Sequence, residues 1–169
     1  MTTPHITRRI ADLSKCEFSP AVPPLLQRIY AVRGAENDRS LARTLQELPG
    51  PDGLLGIGEA VALLEQAISE QQAVLIIGDF DADGATSTAL TLLALSAMGF
   101  SRVSYIVPNR FEYGYGLTPE IVELAKQQNP DLIITVDNGI SSVSGVKAAK
   151  DAGIKVLITD HHLPGADAG

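Results

Sequence analysis

Three aspartates stand at alternating positions directly after a short apolar stretch: Asp79, Asp81 and Asp83. Alternate side chains share one side of an extended backbone, so these carboxylates are predicted to lie together if the chain is still extended there. Close carboxylates repel one another, and each raises the pKa of its neighbours. A bound divalent cation relieves this repulsion, because Mg²⁺ and Mn²⁺ prefer carboxylate oxygens. The structural alternative is a turn or a helix N-cap, which Asp and Gly also favour.

Two further polar groups follow apolar stretches later in the chain: Asp137-Asn138-Gly139 and Asp160-His161-His162. Parallel strands bring their carboxyl ends to one edge of a sheet, so polar groups at three strand ends are expected on one rim. These side chains outnumber the ligands that one cation needs, which favours two cations. Paired cations serve phosphoryl chemistry, because they activate water and hold phosphate oxygens.

The hydrophobic pattern from residue 57 onward alternates between short apolar runs and amphipathic segments. The pattern predicts strands at 73–77, 102–107, 131–136 and 155–159, and helices at 58–71, 84–98, 141–152 and from residue 118 onward. Continuous Val, Ile and Leu runs separated by helices indicate an α/β fold with an open, doubly wound parallel sheet. Ligands of such sheets collect at the carboxyl ends of the strands.

The first 53 residues precede this pattern and are predicted to form an arm and a small helical lead-in. Pro23-Pro24 suits a helix start and Gly34 a helix end. A second helix is expected over 38–48, where leucines recur on one side. The Pro- and Gly-rich stretch 49–53 marks a boundary. The predicted domains are therefore 1–53, the lead-in, and 54–169, the α/β domain.

Length, charge and cysteine content limit the class of protein. A chain of 169 residues with 45% hydrophobic residues can build one core and a small appendage. The net charge of −7 argues weakly against a nucleic-acid partner, although clustered ligand carboxylates lower the net charge of any metal enzyme. Cys16 has no second cysteine to pair with, which predicts a reduced, cytoplasmic protein. No secretory signal and no membrane-spanning run are expected.

Three motifs in this order resemble those of the DHH phosphoesterase superfamily. They are Gly-Asp-Phe-Asp-Ala-Asp-Gly at 78–84, Val-Asp-Asn-Gly-Ile-Ser at 136–141 and Asp-His-His at 160–162. The segments 107–111, 114–117 and 163–165 narrow the resemblance to the bacterial exonucleases of that superfamily that are specific for single-stranded DNA. The resemblance implies a 5′→3′ exonuclease of DNA repair and recombination, which hydrolyses phosphodiester bonds with two Mn²⁺ or Mg²⁺ ions.

The resemblance also implies a set of metal ligands. Asp81 and Asp83 would each ligate one ion, and Asp137 would bridge the two ions. His161 would bind one of them. Asp79 would be a further ligand or would contact a ligand without touching the metal itself.

The two remaining residues of the last motif receive other roles from the resemblance. His162 would lie nearer the scissile phosphate, as a proton donor or an electrostatic stabiliser. Asp160 would orient a ligand histidine, as carboxylates commonly do beside metal-bound imidazoles.

Residues after the second predicted strand are expected to contact substrate. Arg110, preceded by Asn109, could fork onto a phosphate, and the alternative is an exposed arginine in a polar loop. Tyr115 is expected to stack on bases or to line their path, the alternative being packing within its loop. Phe111 is assigned to the core.

Thr86 and Ser87 lie in the first turns of the predicted helix 84–98. Free backbone N–H groups and hydroxyls at a helix start can receive a phosphate oxygen. These two side chains can equally well serve only to cap the helix.

One departure from the superfamily pattern bears on completeness. A fourth motif downstream of Asp-His-His supplies a further ligand aspartate in the superfamily. Asp167 is too close to His162 to take that role. The chain is therefore expected to be the N-terminal part of a longer protein and to be incomplete for catalysis on its own.

Two other functions compete with the exonuclease. The first is another DHH phosphoesterase, acting on pyrophosphate, short oligonucleotides or cyclic dinucleotides. The second is a non-catalytic scaffold of the same fold, which the intact ligand set disfavours. The tyrosine-containing loop around Arg110 favours a polymeric substrate. A dinucleotide-binding domain is disfavoured, because no GxGxxG follows the first predicted strand. The resemblance implies single-stranded DNA, a single-strand-binding protein and a helicase as partners. No membrane contact and a monomeric state are also expected.

Overall fold

A computed structural model describes residues 7–42, 44, 46 and 48–165. The chain divides into two compact units, Met1–Leu54 and Leu55–Gly169. We refer to them as the N-terminal unit and the α/β unit. None of the described helices combines the length and the apolar character that a bilayer span requires.

The described part of the N-terminal unit contains one α-helix, α1, at Pro24–Val32. The helix begins at Pro24, because proline has no backbone N–H and the first N–H of a helix has no partner within the helix. Gly34 ends it with a left-handed backbone at φ 85°. Three single-turn 3-10 segments accompany α1 in the described part of the unit, at Leu13–Lys15, Asp38–Leu41 and Pro51–Gly53.

The prediction of a second helix over 38–48 is wrong in the part that the structure describes. A 3-10 turn covers Asp38–Leu41, and Ala42 then adopts an extended backbone at φ −61° and ψ 138°. The Asn37 side chain accepts a hydrogen bond from the Ser40 N–H at 3.1 Å, which favours a single tight turn. Leu45, on which the predicted helix partly rested, lies outside the described residues.

The α/β unit follows the predicted alternation of helices and strands. Its elements are α2 at Ile57–Ser69, β1 at Val74–Ile77, α3 at Ala82–Ala97, β2 at Val103–Ile106, α4 at Arg110–Tyr113, α5 at Pro119–Lys126, β3 at Leu132–Val136, α6 at Val143–Asp151 and β4 at Lys155–Thr159. The four strands form a parallel sheet in the order β2-β1-β3-β4. The predicted open, doubly wound α/β architecture is therefore confirmed.

Helices cover both faces of this sheet, because both faces of its central strands are apolar. One core cluster joins Leu75 and Ile77 of β1 to buried residues of α5 and α6. The other joins Val74 and Ile76 of β1 to buried residues of α2 and α3. Alternate residues of one strand thus enter opposite cores, and all four are at most 1% exposed.

The sheet order brings three chemically distinctive strand ends together. β1, β3 and β4 are successive neighbours, and they are parallel, so their carboxyl ends share one edge. After β1 the chain forms β2 on one side of β1, and it then crosses to form β3 on the other side of β1. Such a reversal of direction leaves a crevice at the carboxyl ends of the two central strands.

Candidate metal centre

Aspartates lie on the shared edge directly beyond the ends of β1, β3 and β4. Asp79 follows β1 by two residues, and Asp137 and Asp160 follow β3 and β4 immediately. Asp79 and Asp137 are each only 8% exposed, and the Asp160 side chain is 1% exposed. Buried carboxylates require compensating partners, so the contacts of each one indicate its role.

Two groups of possible metal ligands share one residue. Oxygens of Asp79, Asp81 and Asp137 lie within 4.8 Å of one another, and so do the ligand atoms of Asp137, His161 and His162. Asp137 therefore stands between an all-carboxylate group and a group with two imidazoles. This arrangement suits two adjacent cations with one shared carboxylate.

The alternation argument for the three aspartates after β1 fails at Asp83. Helix α3 begins at Ala82, two residues before its predicted start, and Asp81 is its N-cap. The Gly84 N–H donates to Asp81 at 3.0 Å, and this hydrogen bond lowers the pKa of the Asp81 carboxyl. Asp83 belongs to the first helical turn and to neither three-residue group. It lines a shallow depression of about 360 Å³ together with Asp137 and His161.

The backbone around Asp137 is held in an uncommon conformation. Asp137 has φ 61°, a left-handed value that costs energy for any residue with a side chain. Its N–H donates to the carbonyl of Thr159 at 3.0 Å. The neighbouring Asn138 amide donates to the carbonyls of Ile77 at 3.2 Å and Val136 at 2.9 Å. Contacts from the ends of all three strands thus set the direction of the Asp137 carboxylate.

The two histidines have different carboxylate partners. His161 Nε2 lies 2.9 Å from Asp137 Oδ1, and the His161 side chain is 70% exposed. His162 Nδ1 lies 2.7 Å from Asp160 Oδ1, whose carboxylate also accepts the backbone N–H of His162 at 3.0 Å and of Ile140 at 2.9 Å. Asp160 therefore orients His162 and not His161.

Asp160 also changes the acid–base behaviour of His162. The hydrogen bond with Asp160 raises the pKa of the His162 imidazole above its usual value. Burial would raise the pKa of Asp160, but the backbone N–H groups of His162 and Ile140 keep that pKa below its usual value.

We expect Asp160→Asn to lower the pKa of His162 in the metal-free protein. The amide carries no charge to stabilise the imidazolium, so the pKa should move back towards its usual value. A group whose pKa is raised by folding stabilises the folded state at pH values below its unfolded-state pKa. That stabilisation is lost as the pH rises through the folded-state pKa, so the variant should lose stability chiefly at acidic pH. NMR titration of the imidazole Hε1 resonance measures the shift, and an unchanged pKa would contradict the pairing.

Arg110 carries a positive charge to this rim. Its Nη2 lies 2.5 Å from Asp79 Oδ2. The guanidinium carbon lies 4.2 Å from the ring centroid of Phe80 and 5.0 Å from that of Tyr115. Asn109, predicted to bind substrate, accepts the Phe111 N–H at 3.0 Å as the N-cap of α4.

One aromatic residue of the rim, Phe111, differs from its predicted position. Phe111 is predicted to lie in the core, but it is 93% exposed, because the single turn of α4 packs Tyr113 and not Phe111 against the core. Tyr115 lies between the site residues: its hydroxyl donates to the Asp137 carbonyl at 3.1 Å and lies 3.2 Å from His162 Nδ1. Burial raises the pKa of the Tyr115 hydroxyl. Phe80 has no predicted role, although its position between two motif aspartates is a usable signal.

Thr86 and Ser87 line the same depression as Asp83, Asp137 and His161. Their hydroxyls donate back to carbonyls of α3, from Thr86 to Ala82 at 2.8 Å and from Ser87 to Asp83 at 2.6 Å. The hydroxyl protons are therefore engaged within the helix.

Residues 73–168 match the family model described as the DHH family, N-terminal domain. The chain belongs to the DHH family. The match includes the ends of all four strands and every residue of the two ligand groups.

Curated relatives of this DHH-family chain carry one name. The chain is 55% identical over 141 residues to the single-stranded-DNA-specific exonuclease RecJ of Haemophilus influenzae, covering 83% of the chain and 24% of that protein. It is 51% identical over 161 residues to RecJ of Salmonella typhimurium, covering 95% of the chain and 28% of that protein. The chain thus spans about a quarter of the length of these relatives.

A solved structure of the same kind of protein resembles the fold. The crystal structure of exonuclease RecJ bound to manganese aligns with a TM-score of 0.61 at 40% identity, covering 70% of this chain and 29% of that one.

The donor set of this DHH-family chain fits a divalent cation such as Mn²⁺ or Mg²⁺. Carboxylate oxygens suit both ions, and Mn²⁺ also accepts imidazole nitrogen. Asp81, Asp83 and Asp137 form no ion pair with a lysine or arginine that the structure describes, whereas Asp79 is paired with Arg110. Asp81 and Asp137, whose oxygens lie within 4.8 Å of each other, therefore leave their charge available to a cation.

Proposed function

We propose that this chain is the metal-holding part of a single-stranded-DNA-specific exonuclease that hydrolyses phosphodiester bonds in the 5′→3′ direction. The observation that carries the proposal is the position of Asp137, which belongs to both groups of possible ligands. The relatives named single-stranded-DNA-specific exonuclease support the substrate class. The direction of digestion rests on the resemblance of the motifs.

Two cations, Mn²⁺ or Mg²⁺, would be held by the rim carboxylates and one histidine. Asp81 and Asp83 would each hold one of the two cations. Asp137 would hold both cations, and His161 would hold one of them. Bound cations of this kind activate water and neutralise phosphate charge. Asp79 fits a supporting role better than direct ligation, since its Oδ1 accepts the Phe80 N–H at 2.8 Å and its Oδ2 pairs with Arg110.

Other side chains of the rim would act on the phosphate directly. His162 would present an imidazole that Asp160 orients and whose pKa it raises, so a protonated ring could donate to a phosphate oxygen. Arg110 would bind a second phosphate group through the part of its guanidinium that Asp79 does not occupy. Thr86 and Ser87 would line the path from α3.

Tyr115 and Asn109 would support Arg110 from its own loop. The Tyr115 ring lies against the guanidinium, and Asn109 caps the turn that begins at Arg110. The rim is open and contains aromatic and cationic groups, which suits an unpaired strand.

The wider setting forms part of the same proposal. Residues 1–53 would form a lead-in and 54–169 a DHH phosphoesterase domain that is completed by further chain. The protein would be a cytoplasmic monomer, and the resemblance supports a single-strand-binding protein and a helicase as partners.

We expect Asp81→Asn in the intact protein to reduce exonuclease turnover by more than about 100-fold, because loss of a ligand should exceed the 10–100-fold cost of losing a supporting residue. Asparagine remains a good N-cap for α3, so thermal stability should stay close to that of the unaltered protein. The assay follows release of nucleotides from an end-labelled single strand with Mn²⁺.

Duplex DNA, pyrophosphate and a cyclic dinucleotide serve as competing substrates in the same assay. Turnover of one of these in preference to the single strand would replace the proposed substrate class. Undiminished turnover by Asp81→Asn would remove Asp81 from the metal centre. Absence of any turnover by the unaltered intact protein would favour a non-catalytic role.

A further inference from the structure

Two aromatic rings lie against the guanidinium of Arg110. Its central carbon lies 4.2 Å from the Phe80 centroid and 5.0 Å from the Tyr115 centroid. We propose that Phe80 and Tyr115 are positioning residues that orient Arg110 towards a phosphate of single-stranded DNA, and that they are not platforms for bases. This inference rests on the function proposed above and assigns the Arg110 contact its supporting residues.

Arg110 needs such support because, apart from the two rings, a single ion pair holds its guanidinium. Asp79 binds one terminal nitrogen, Nη2, and the Arg110 side chain is 37% exposed. One contact at the end of a flexible side chain leaves rotation of the guanidinium plane unconstrained. Faces of aromatic rings attract a guanidinium through their quadrupole and restrict its orientation.

The contacts determine which edge of the guanidinium is available. Nη2 is bound to Asp79, and Nε is buried with no hydrogen-bond partner among the described residues. No described residue accepts a hydrogen bond from Nη1. The Nη1 edge is therefore the part of Arg110 that remains for an incoming phosphate.

Phe80 contacts both members of the ion pair. Its backbone N–H donates to Asp79 Oδ1 at 2.8 Å, while its ring lies against Arg110. The side chain is 50% exposed and belongs to neither core cluster, so packing of the core does not explain it. Phe80 thus links the end of β1 to the side chain that we expect to bind phosphate.

Tyr115 links the same guanidinium to the proposed metal ligands. Its ring contacts Arg110, and its hydroxyl donates to the carbonyl of Asp137. A guanidinium placed by Tyr115 is therefore placed relative to Asp137. The aromatic pair thus sets the spacing between the phosphate-binding and metal-holding halves of the rim.

A double-mutant cycle in the intact protein tests this inference. Binding of a fluorescein-labelled dT15 oligonucleotide is followed by anisotropy in EDTA, so that no turnover occurs. Arg110→Ala should lower the slope of log Kd against log salt by about 0.7, because one phosphate contact is lost. Phe80→Leu should weaken binding about fivefold when Arg110 is present and have no further effect on Arg110→Ala. Phe80→Tyr keeps a ring and should bind normally.

Phe111 offers a matched control, since it is an exposed aromatic of the same rim with no ring contact to Arg110. Phe111→Leu should leave binding unchanged. Equal weakening by Phe80→Leu with and without Arg110 would overturn the inference, because it would mean that the ring stacks directly on bases. Unchanged binding by Phe80→Leu would overturn it as well.

A second measurement separates this inference from the proposed function. If the intact protein does not bind dT15, the proposed function fails, and the contact is tested by NMR of protein labelled with ¹⁵N-arginine. Phe80→Leu should shift the Arg110 Nε–H resonance, whereas Phe111→Leu should not. An unshifted resonance would overturn the positioning role independently of DNA.

Discussion

Asparagine in place of Asp137 should abolish Mn²⁺ binding by this chain and reduce turnover of the intact protein by more than about 100-fold. Both groups of possible ligands contain Asp137, so the substitution removes charge from two cation sites at once. No other residue of the rim belongs to both groups.

Asparagine is the informative replacement because of the backbone at this position. Asp137 has φ 61°, a conformation that Asn tolerates and Ala does not. Asp137→Ala would therefore combine loss of a ligand with backbone strain of about 1–2 kcal/mol. Calorimetric titration with Mn²⁺ measures binding, and urea unfolding shows that Asp137→Asn remains folded.

The control for this prediction is another charge-removing substitution in the α/β unit. Asp151→Asn removes a carboxylate that is paired with Lys147 at the end of α6. It should leave Mn²⁺ binding unchanged. Retained Mn²⁺ affinity in Asp137→Asn would remove the shared carboxylate from the proposal and leave at most one cation on the rim.

The second large effect is expected from Gly84→Ala, which should destabilise the α/β unit by about 3 kcal/mol. A Cβ atom at Gly84 would lie 2.4 Å from the carbonyl oxygen and 2.6 Å from the Cβ of Asp79. Backbone cannot move aside as a flexible side chain can, so either α3 or the turn after β1 must shift. The shift would also displace Asp79 and Asp81, and Mn²⁺ binding should weaken.

Gly58→Ala provides the comparison for Gly84→Ala. Gly58 lies in the first turn of α2, and nothing lies within 4 Å of the added methyl group. It should be neutral or stabilise the protein by up to about 1 kcal/mol, because Ala is the better helix former. Urea unfolding of both variants measures the contrast, and equal midpoints would mean that α3 does not approach β1 as closely as the structure shows.

The elements that carry the rim were predictable because each has a strong local signal. Continuous apolar runs identified the strands, with ends within two residues of those observed, and Thr118-Pro119 marked the start of α5. The parallel arrangement followed from the alternation of strands and helices. Strand order, which makes β1, β3 and β4 neighbours, depends on tertiary packing and was not predicted.

The contacts around the motif aspartates were less predictable. The exact start of α3 depends on whether Asp81 or a later residue takes the N-cap, and both choices satisfy local rules. Phe111 and Phe80 are the same type of residue, so residue type alone could not show that the first is exposed and the second lies against Arg110. Such pairings join segments about thirty residues apart, and only the fold brings them together.

The order of strands in the sheet has a consequence for synthesis of the protein. β1 pairs with β3 through Val74 and Leu132, and β3 pairs with β4 through Leu132 and Lys155. A growing chain cannot join these strands until the later ones have been made, and pairings between distant segments form slowly. The group of Asp137, His161 and His162 therefore assembles only after the ribosome has passed His162. Metal cannot guide the early stages of folding, and a nascent chain can collapse around its apolar strands before it can bind a cation.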